Sequence, residues 1–305
     1  MRPRDDISCG PAALWSGRCR AWRWTARHTG TPKRSYPGCG NWRHKMPKVS
    51  EILELIEGFA PSFLKMQGDN VGLLVGDPEA EVSRVMLTLD ITPDVAKAAA
   101  EAGAELIVAH HPVIFSPLYS VTPADYNGAA VMTLLRHGIA AICMHTNLDA
   151  AAGGVNDTLA EALGLRDVTL LDDGGQGILR RGVLPQAMSA ADFAAHVGRA
   201  LHCKGVRYLP GNRPIRTVAV CGGAGGNSAD CGHVLRAGCD AYVTAEVKYP
   251  VSLEMAYAGL TIVDAGHFHT ENPVLDRLEE LIGRRLPALV LLRSGHDDPM
   301  NYLTF

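Results

Sequence analysis

The sequence predicts an α/β protein that is built from two lobes with largely parallel sheets. Predicted strands and helices alternate along the chain from residue 47 to residue 293. Parallel strands need a crossover between them, usually a helix, so this alternation favours parallel pairing. A Gly/Asp-rich patch, DDGGQG at 172–177, interrupts the alternation and separates two runs of elements.

The first run of elements begins with apolar residues at helical spacing over 47–60, where Ser50 is the predicted N-cap. A glycine-punctuated turn–strand–turn follows at 68–78. The other strands of this run are predicted at 85–92, 105–111 and 139–146. The other helices are predicted at 93–103, 127–138 and 153–165, the first of them with Pro93 near its start and Gly103 after its end.

The second run follows residues 166–188, which lack a clear period and are predicted to form the junction between the lobes. Strands are predicted at 216–226, 240–247, 260–266 and 288–293. Helices are predicted at 189–202, 228–237, 251–258 and 270–283. The predicted division is a first lobe at 46–170, a second lobe at 171–260, and a segment at 261–305 that returns to complete the first lobe and the functional site.

Residues 1–45 differ from the rest of the chain. They hold ten Lys and Arg, two acidic residues and all four tryptophans, without a sustained helical or strand period. We predict a disordered or misassigned extension, with a targeting signal as the alternative, and a folded part that begins at Met46.

The remainder of the chain carries 19 basic and 30 acidic residues, a net charge of −11. An acidic protein is not expected to bind nucleic acid through a broad basic face. No run approaches the roughly 18 apolar residues of a membrane helix. Five cysteines lie in or beside apolar runs without a CxxC pair, which is typical of reduced core thiols in a cytoplasmic protein.

Chemistry-bearing side chains recur where predicted strands end. In AELIVAHHPVIF, His110 and His111 end an apolar run and Pro112 stops the strand. Neighbouring residues on a straight strand point to opposite faces, so the two rings converge only if the backbone turns there. The carboxyl ends of parallel strands share one edge of a sheet, where ligands bind. Four further candidates follow strand ends: His145, Asp149, His267 and Glu271.

Imidazole and carboxylate ligands suit Zn, Mn, Fe or Co. The set is too large for one tetrahedral ion and suits two ions about 3.5–4 Å apart, bridged by a carboxylate. His267 and Glu271 are spaced by four at a helix start and can face the same way. The alternative is that these histidines are hydrogen-bonded core residues.

Five stretches together resemble one known family: DNVGLLVGDP, AHHPVIF, HTNLDAAAGGVND, TAEVKY and DAGHFHTEN. It is the GTP cyclohydrolase 1 type 2 family, also called NGG-interacting factor three-like, and the likeness covers residues 47–305. The resemblance implies two interlinked α/β lobes, a metal site at strand ends between the lobes, and a toroidal homohexamer. It implies a dinuclear centre with ligands at His110, His111, Asp149, His267 and Glu271, bridged by Asp149 or Glu271.

Three positions depart from the family pattern. Ala245 replaces a glycine, and Pro250 stands where a histidine is often found. His269 stands where a small residue is more usual. We interpret it as an exposed neighbour of the site, with a substitute imidazole as the alternative.

Two functions fit this set of residues. The first is a metal-dependent hydrolase with two divalent ions (Zn, Mn or Fe), by resemblance one that opens the guanine ring of GTP with loss of formate. Its substrate is then a small molecule such as a nucleotide, and His145 is the candidate proton shuttle. The second is a non-catalytic metal-binding scaffold or partner-binding regulatory protein.

Four other features each have a structural alternative. The loop CGGAGG at 221–226 is a tight strand–helix turn or a phosphate cradle. Asp90 either caps the helix after it or orients a ligating imidazole. Asp69 is a turn residue or lies near the metals. Glu246 and Lys248 are either solvated or meet the substrate.

Overall fold

The structure is a computed structural model that describes residues 46–172 and 174–303. The prediction for residues 1–45 lies outside the described residues. The helices are α1 (Val49–Phe59), α2 (Pro93–Glu101), α3 (Tyr126–His137), α4 (Thr146–Ala150), α5 (Val155–Ala162), α6 (Ala190–Ala200), α7 (Ser228–Arg236), α8 (Tyr249–Ala258), α9 (His267–Glu271) and α10 (Val274–Arg285). The strands are β1 (Gly72–Val75), β2 (Arg84–Thr88), β3 (Leu106–Ala109), β4 (Ala140–Cys143), β5 (Arg166–Leu170), β6 (Arg180–Met188), β7 (Arg207–Leu209), β8 (Ile215–Val220), β9 (Ala241–Thr244), β10 (Thr261–Asp264) and β11 (Val290–Arg293).

The strands form two sheets, which confirms the α/β class. The first sheet has the order β1-β4-β3-β2-β11 and is parallel except for β1, which pairs antiparallel with β4. The second has the order β5-β6-β8-β9-β10-β7, with β8, β9 and β10 parallel at its centre. Its outer pairings are antiparallel.

The chain enters the second sheet at β5 and returns to the first at β11, after β10 has paired with β9 in the second. The chain therefore crosses between the two sheets twice, once where it enters β5 and once between β10 and β11. The lobe boundaries at residues 170 and 260 stay predictions, because sheet membership does not define a domain.

Helices cover both faces of each sheet. In the first sheet, one face packs on α1 and α10 and the other on α2 and α3. In the second sheet, one face packs on α5 and α6 and the other on α7 and α8. Central strands such as β3 and β4 are buried throughout, which explains their continuous apolar sequences.

Local sequence signals account for several helix ends. The Thr92 hydroxyl accepts a hydrogen bond from Val95 N, and Pro93 occupies the first helical position of α2. Ser189 caps α6 through Asp192 N. The prediction of Ser50 as an N-cap is wrong. The helix α1 begins at Val49, so Ser50 lies inside it and Lys48 is the N-cap.

Three strands, the short helix α4 and one helix break were missed. The stretch at 166–188 forms β5 and β6, and β7 lies at the opposite edge of the same sheet. β5 and β7 are mostly exposed, so their sequences carry no apolar period to detect. The predicted helix at 270–283 is two helices, α9 and α10, separated at Asn272 and Pro273.

The described cysteines are all free, and four of the five are buried. Among the described residues, no helix has the length and apolar character that crossing a membrane requires.

Candidate metal centre

His110 and His111 lie where β3 ends and the backbone turns. His110 N still donates to Thr88 O at 3.3 Å, and His111 N donates to Leu89 O at 2.8 Å. The two ring centroids are 4.7 Å apart. The turn therefore brings both imidazoles to the same side, as their position before Pro112 predicts.

The neighbouring strands contribute the other candidates. His145 is the N-cap of α4, directly after β4, and α4 carries Asp149. α9 begins at His267 and ends at Glu271. All six side chains predicted from the sequence lie around one point, although they come from opposite ends of the described chain.

Glu271 lies at the middle of this cluster. Its Oε1 is 3.7 Å from His110 Nε2 and 3.2 Å from His267 Nε2. Its Oε2 is 3.0 Å from His111 Nε2. His110 Nε2 also lies 3.6 Å from Asp149 Oδ1.

The ligand atoms fall into three overlapping groups, and within each group they lie within 4.8 Å of one another. The groups are His110–Asp149–Glu271, His111–His267–Glu271 and His110–His111–His145. Glu271 belongs to two of them. If two ions bind, Glu271 is therefore better placed to bridge them than Asp149.

Each imidazole is held through its Nδ1 atom. The acceptors are Met144 O for His110 (2.8 Å), Asp90 Oδ1 for His111 (2.8 Å), Asp69 Oδ1 for His145 (2.8 Å) and Glu246 Oε1 for His267 (2.6 Å). Such contacts leave Nε2 as the free nitrogen and orient each ring, which is the arrangement of metal-ligating histidines.

Two buried atoms of the cluster, His110 Nε2 and Asp149 Oδ1, have no hydrogen-bond partner among the described residues. An unsatisfied buried polar atom costs about 1–3 kcal/mol, and more if it is charged. Their convergence is explained if they are ligands of a cation. The residues present therefore fit a metal site.

The ionisation of the cluster reflects close packing of acids and imidazoles. Burial lowers the pKa of His111, but hydrogen bonds to Asp90 and Glu271 outweigh it and raise the pKa to about 10. The same balance, with Glu271 and Glu246 as partners, raises the pKa of His267 to about 9. Burial raises the pKa of Asp149 to about 6. Protons thus balance the buried carboxylates where a cation would otherwise do so.

Glu246 is the residue of this centre whose role the sequence left open. It lies two residues after the end of β9 and has a φ of 57°, a left-handed conformation that is uncommon for a residue with a side chain. This conformation turns its exposed carboxylate to His267 Nδ1. The sequence feature that could have predicted this role is the position of Glu246 after a buried strand, because the candidate histidines were predicted from the same position.

Asp90 and Asp69 also orient ligands or their neighbours. Asp90 contacts His111 and lies 3.4 Å from His296 Nε2, so it is not the cap of α2, which is Thr92. Burial opposes ionisation of Asp69, but hydrogen bonds from His145 and Thr146 hold its pKa well below the ordinary value.

The positions that depart from the family pattern lie outside the cluster. The interpretation of His269 as an exposed residue is wrong: it is buried, and its Nε2 lies 3.7 Å from Asp298 Oδ2. It belongs to none of the ligand groups, and its role as a substitute imidazole for the histidine absent at position 250 stays a prediction. Ala245 is buried behind the site, and Pro250 lies in the first turn of α8.

A cavity of about 1300 Å³ opens beside the cluster. His111 and His267 form part of its wall, with Tyr126, Arg207 and Tyr302 among the other lining residues. Its volume exceeds that of an ordinary small-molecule site.

These features define the class of protein: a two-sheet α/β protein with a candidate metal centre of histidines and carboxylates at the strand ends. Residues 47–297 match the family model of Duf34/NIF3 (NGG1p interacting factor 3). The chain belongs to this family.

Curated relatives carry the name GTP cyclohydrolase 1 type 2 homolog. The one from Clostridium perfringens is 34% identical over 263 residues, which is 84% of this chain and all of the relative. The one from Streptomyces coelicolor is 35% identical over 238 residues, 75% of this chain and 83% of the relative.

Solved structures share the fold. A Bacillus cereus protein related to NIF3 superposes with a TM-score of 0.77 at 26% identity, over 85% of this chain and all of that chain. Reduced HcgD from Methanocaldococcus jannaschii superposes with a TM-score of 0.72 at 28% identity, over 82% of this chain and 98% of that chain.

Proposed function

We propose that the protein is a hydrolase that depends on two divalent metal ions (Zn, Mn or Fe). The observation that carries the proposal is the sharing of Glu271 between two ligand groups, each of which also holds imidazole nitrogens. His110 and Asp149 would hold one ion, His111 and His267 the other, with Glu271 between them. A pair of divalent ions supplies Lewis acidity and makes water nucleophilic at neutral pH.

His145 is the proposed proton carrier. It lies beside the cluster, with its ring centroid 5.4 Å from that of His110 and 5.6 Å from that of His111. Asp69 Oδ1 lies 2.8 Å from its Nδ1 and fixes the orientation of the ring. Glu271 is not suited to this role, because imidazoles surround both of its oxygens.

The names of the curated relatives make GTP the first substrate to test, with hydrolytic opening of its guanine ring as the reaction. The cavity beside His111 and His267 supports a small-molecule substrate of this size. By the same family resemblance we propose a homohexamer in the cytoplasm.

The decisive experiment combines metal analysis with turnover. Protein purified without chelator or His-tag is expected to contain two ions per chain, and the loaded protein is assayed on GTP, phosphoesters and cyclic amides. Asp149→Ala is expected to lower turnover by roughly 10²-fold or more. Asp192→Ala, at an exposed position in the first turn of α6, is expected to leave it unchanged.

The outcomes separate the two functions. Two bound ions without turnover on any compound would favour the alternative, a non-catalytic metal-binding scaffold or regulatory protein. A chain that binds no divalent ion would contradict both.

A further inference from the structure

The two carboxylates of the candidate centre lie on helices of five residues each. Asp149 is on α4 and Glu271 is on α9. Helices this short are not stable by themselves, so their spacing depends on what they pack against. The loop Cys221–Gly226 after β8, here named the glycine loop, is hydrogen-bonded to α9 through Thr270 and is linked to α4 through Asn156 of α5.

Asn156 joins the glycine loop to the helix of the first carboxylate. Gly222 N donates to Asn156 Oδ1 at 2.7 Å, and Asn156 Nδ2 donates to the backbone oxygen of Asp149 at 3.1 Å. Asn156 is fully buried. Both ends of its amide are therefore committed to this connection.

Thr270 joins the next residue of the loop to the helix of the second carboxylate. Gly223 N donates to Thr270 Oγ1 at 3.0 Å, and the hydroxyl lies 2.9 Å from His267 O and 3.0 Å from Gly266 O. Thr270 is fully buried and directly precedes Glu271. The successive backbone amides of Gly222 and Gly223 thus donate to Asn156 and Thr270, each of which contacts the backbone beside one of the two carboxylates.

The glycines allow the backbone to reach the centre itself. Gly223 has a φ of 66°, and a Cβ atom there would overlap Glu271 Oε1 and lie 3.1 Å from His267 Nε2. A Cβ at Gly222 would lie 2.9 Å from Val155 Cγ1 and 3.2 Å from Glu271 Cγ. A side chain at either position would displace the candidate bridging carboxylate.

The glycine loop is itself anchored to the end of β9. Cys221 N donates to Val243 O at 3.0 Å, Ala245 N to Gly223 O at 3.1 Å, and Gly226 N to Ala245 O at 3.1 Å. These amides, with those of Gly222 and Gly223, donate within the protein. A phosphate cradle needs free amides, so the loop is better explained by its contacts to the two helices.

We infer that the glycine loop acts as a backbone clamp that sets the separation of Asp149 and Glu271, with Asn156 and Thr270 as positioning residues for metal binding. This inference rests on the proposed metal centre. It assigns no ligand role to Asn156 or Thr270, since both act through the backbone next to a carboxylate.

The test uses the full chain, loaded with Co²⁺ as a spectroscopic probe and with Zn²⁺ for affinity. Thr270→Val removes the acceptor of Gly223 N while keeping the side-chain shape, and is expected to weaken metal affinity roughly 10- to 100-fold and to shift the Co²⁺ absorption bands. Thr270→Ser keeps the hydroxyl and is expected to restore both. Thr158→Val is the matched control, because that buried hydroxyl donates to Val155 O and not to the loop. Asn156→Ala and Gly223→Ala are expected to weaken affinity further.

Equal metal affinity and equal Co²⁺ spectra in Thr270→Val and the unmodified chain would overturn the clamp and leave the metal centre intact. The same loss in Thr158→Val would also overturn it, since general destabilisation would then explain the effect. If the unmodified chain binds no metal, the proposed function fails together with the clamp.

Discussion

His110 and Glu271 meet at the centre of the molecule's candidate site, with His110 Nε2 3.7 Å from Glu271 Oε1. Both side chains are buried, and His110 Nε2 has no hydrogen-bond partner among the described residues. One ligand comes from the end of β3 and the other from α9, so folding of the whole chain is required before the pair exists. The predictions below depend on this relationship.

Glu271→Gln is expected to abolish binding of both ions. The amide keeps the shape of the side chain but loses the charge that two ions would share, and it leaves polar atoms unpaired in a buried position. Metal content after dialysis and calorimetric affinity are the measurements, with a loss of at least about 10²-fold expected. Glu279→Gln, at an exposed ion pair with Arg293, is the control. Two ions retained in Glu271→Gln would contradict the bridging role.

Metal binding is expected to release protons and to strengthen as pH rises toward 9–10. In the metal-free chain the pKa of His111 is raised to about 10 and that of His267 to about 9, so both rings are protonated at neutral pH. A cation must displace those protons. Calorimetry in buffers of different ionisation enthalpy measures the number released, and a value of zero at pH 7 would contradict the raised pKa values.

The stability of the metal-free chain is expected to fall as pH rises through the same range. A raised pKa in the folded state means that His111 stabilises the fold fully below its unfolded pKa, about 6.5, and that this contribution is lost as pH approaches 10. Melting temperatures across this range are the measurement. The melting temperature of His111→Asn should fall less steeply with rising pH than that of the unmodified chain. An equal slope in both proteins would contradict the assignment of this pH dependence to His111.

Asp90→Asn is expected to weaken the binding of one metal ion more than that of the other. The carboxylate of Asp90 holds His111 through Nδ1, so its loss disturbs the group formed by His111, His267 and Glu271. The expected loss is roughly 10- to 100-fold for that ion. Metal titration should then give one tight and one weak site, whereas Asp94→Asn, exposed on the same cavity wall, should keep two tight sites. Two equally weakened sites would argue against separate groups.

His145→Gln is expected to retain two ions and to lose turnover on whichever substrate the chain hydrolyses. A positioned proton carrier contributes roughly 10²- to 10⁴-fold to rate. Asp69→Asn should give a smaller loss, since it removes the orienting carboxylate and leaves the ring in place. Loss of an ion in His145→Gln would show that His145 is a metal ligand, as its membership in the group His110–His111–His145 allows.

The sequence by itself determined the secondary structure of most buried elements, and it placed every candidate ligand at or after a strand end. Buried strands such as β3 and β4 carry continuous apolar sequences, and Pro112 marks the turn after His111. Exposed edge strands such as β5 have no such pattern, so their existence follows only from pairing with β6.

Only the tertiary structure decided which of these side chains meet and what holds them. His110 and Glu271 converge because folding brings the turn after β3 next to α9, and no local pattern encodes that distance. The left-handed conformation of Glu246 and the approach of Gly223 to Glu271 are likewise set by packing between distant segments. Local preferences act over a few residues, whereas a metal centre of this kind requires contacts between parts of the chain that meet only after folding.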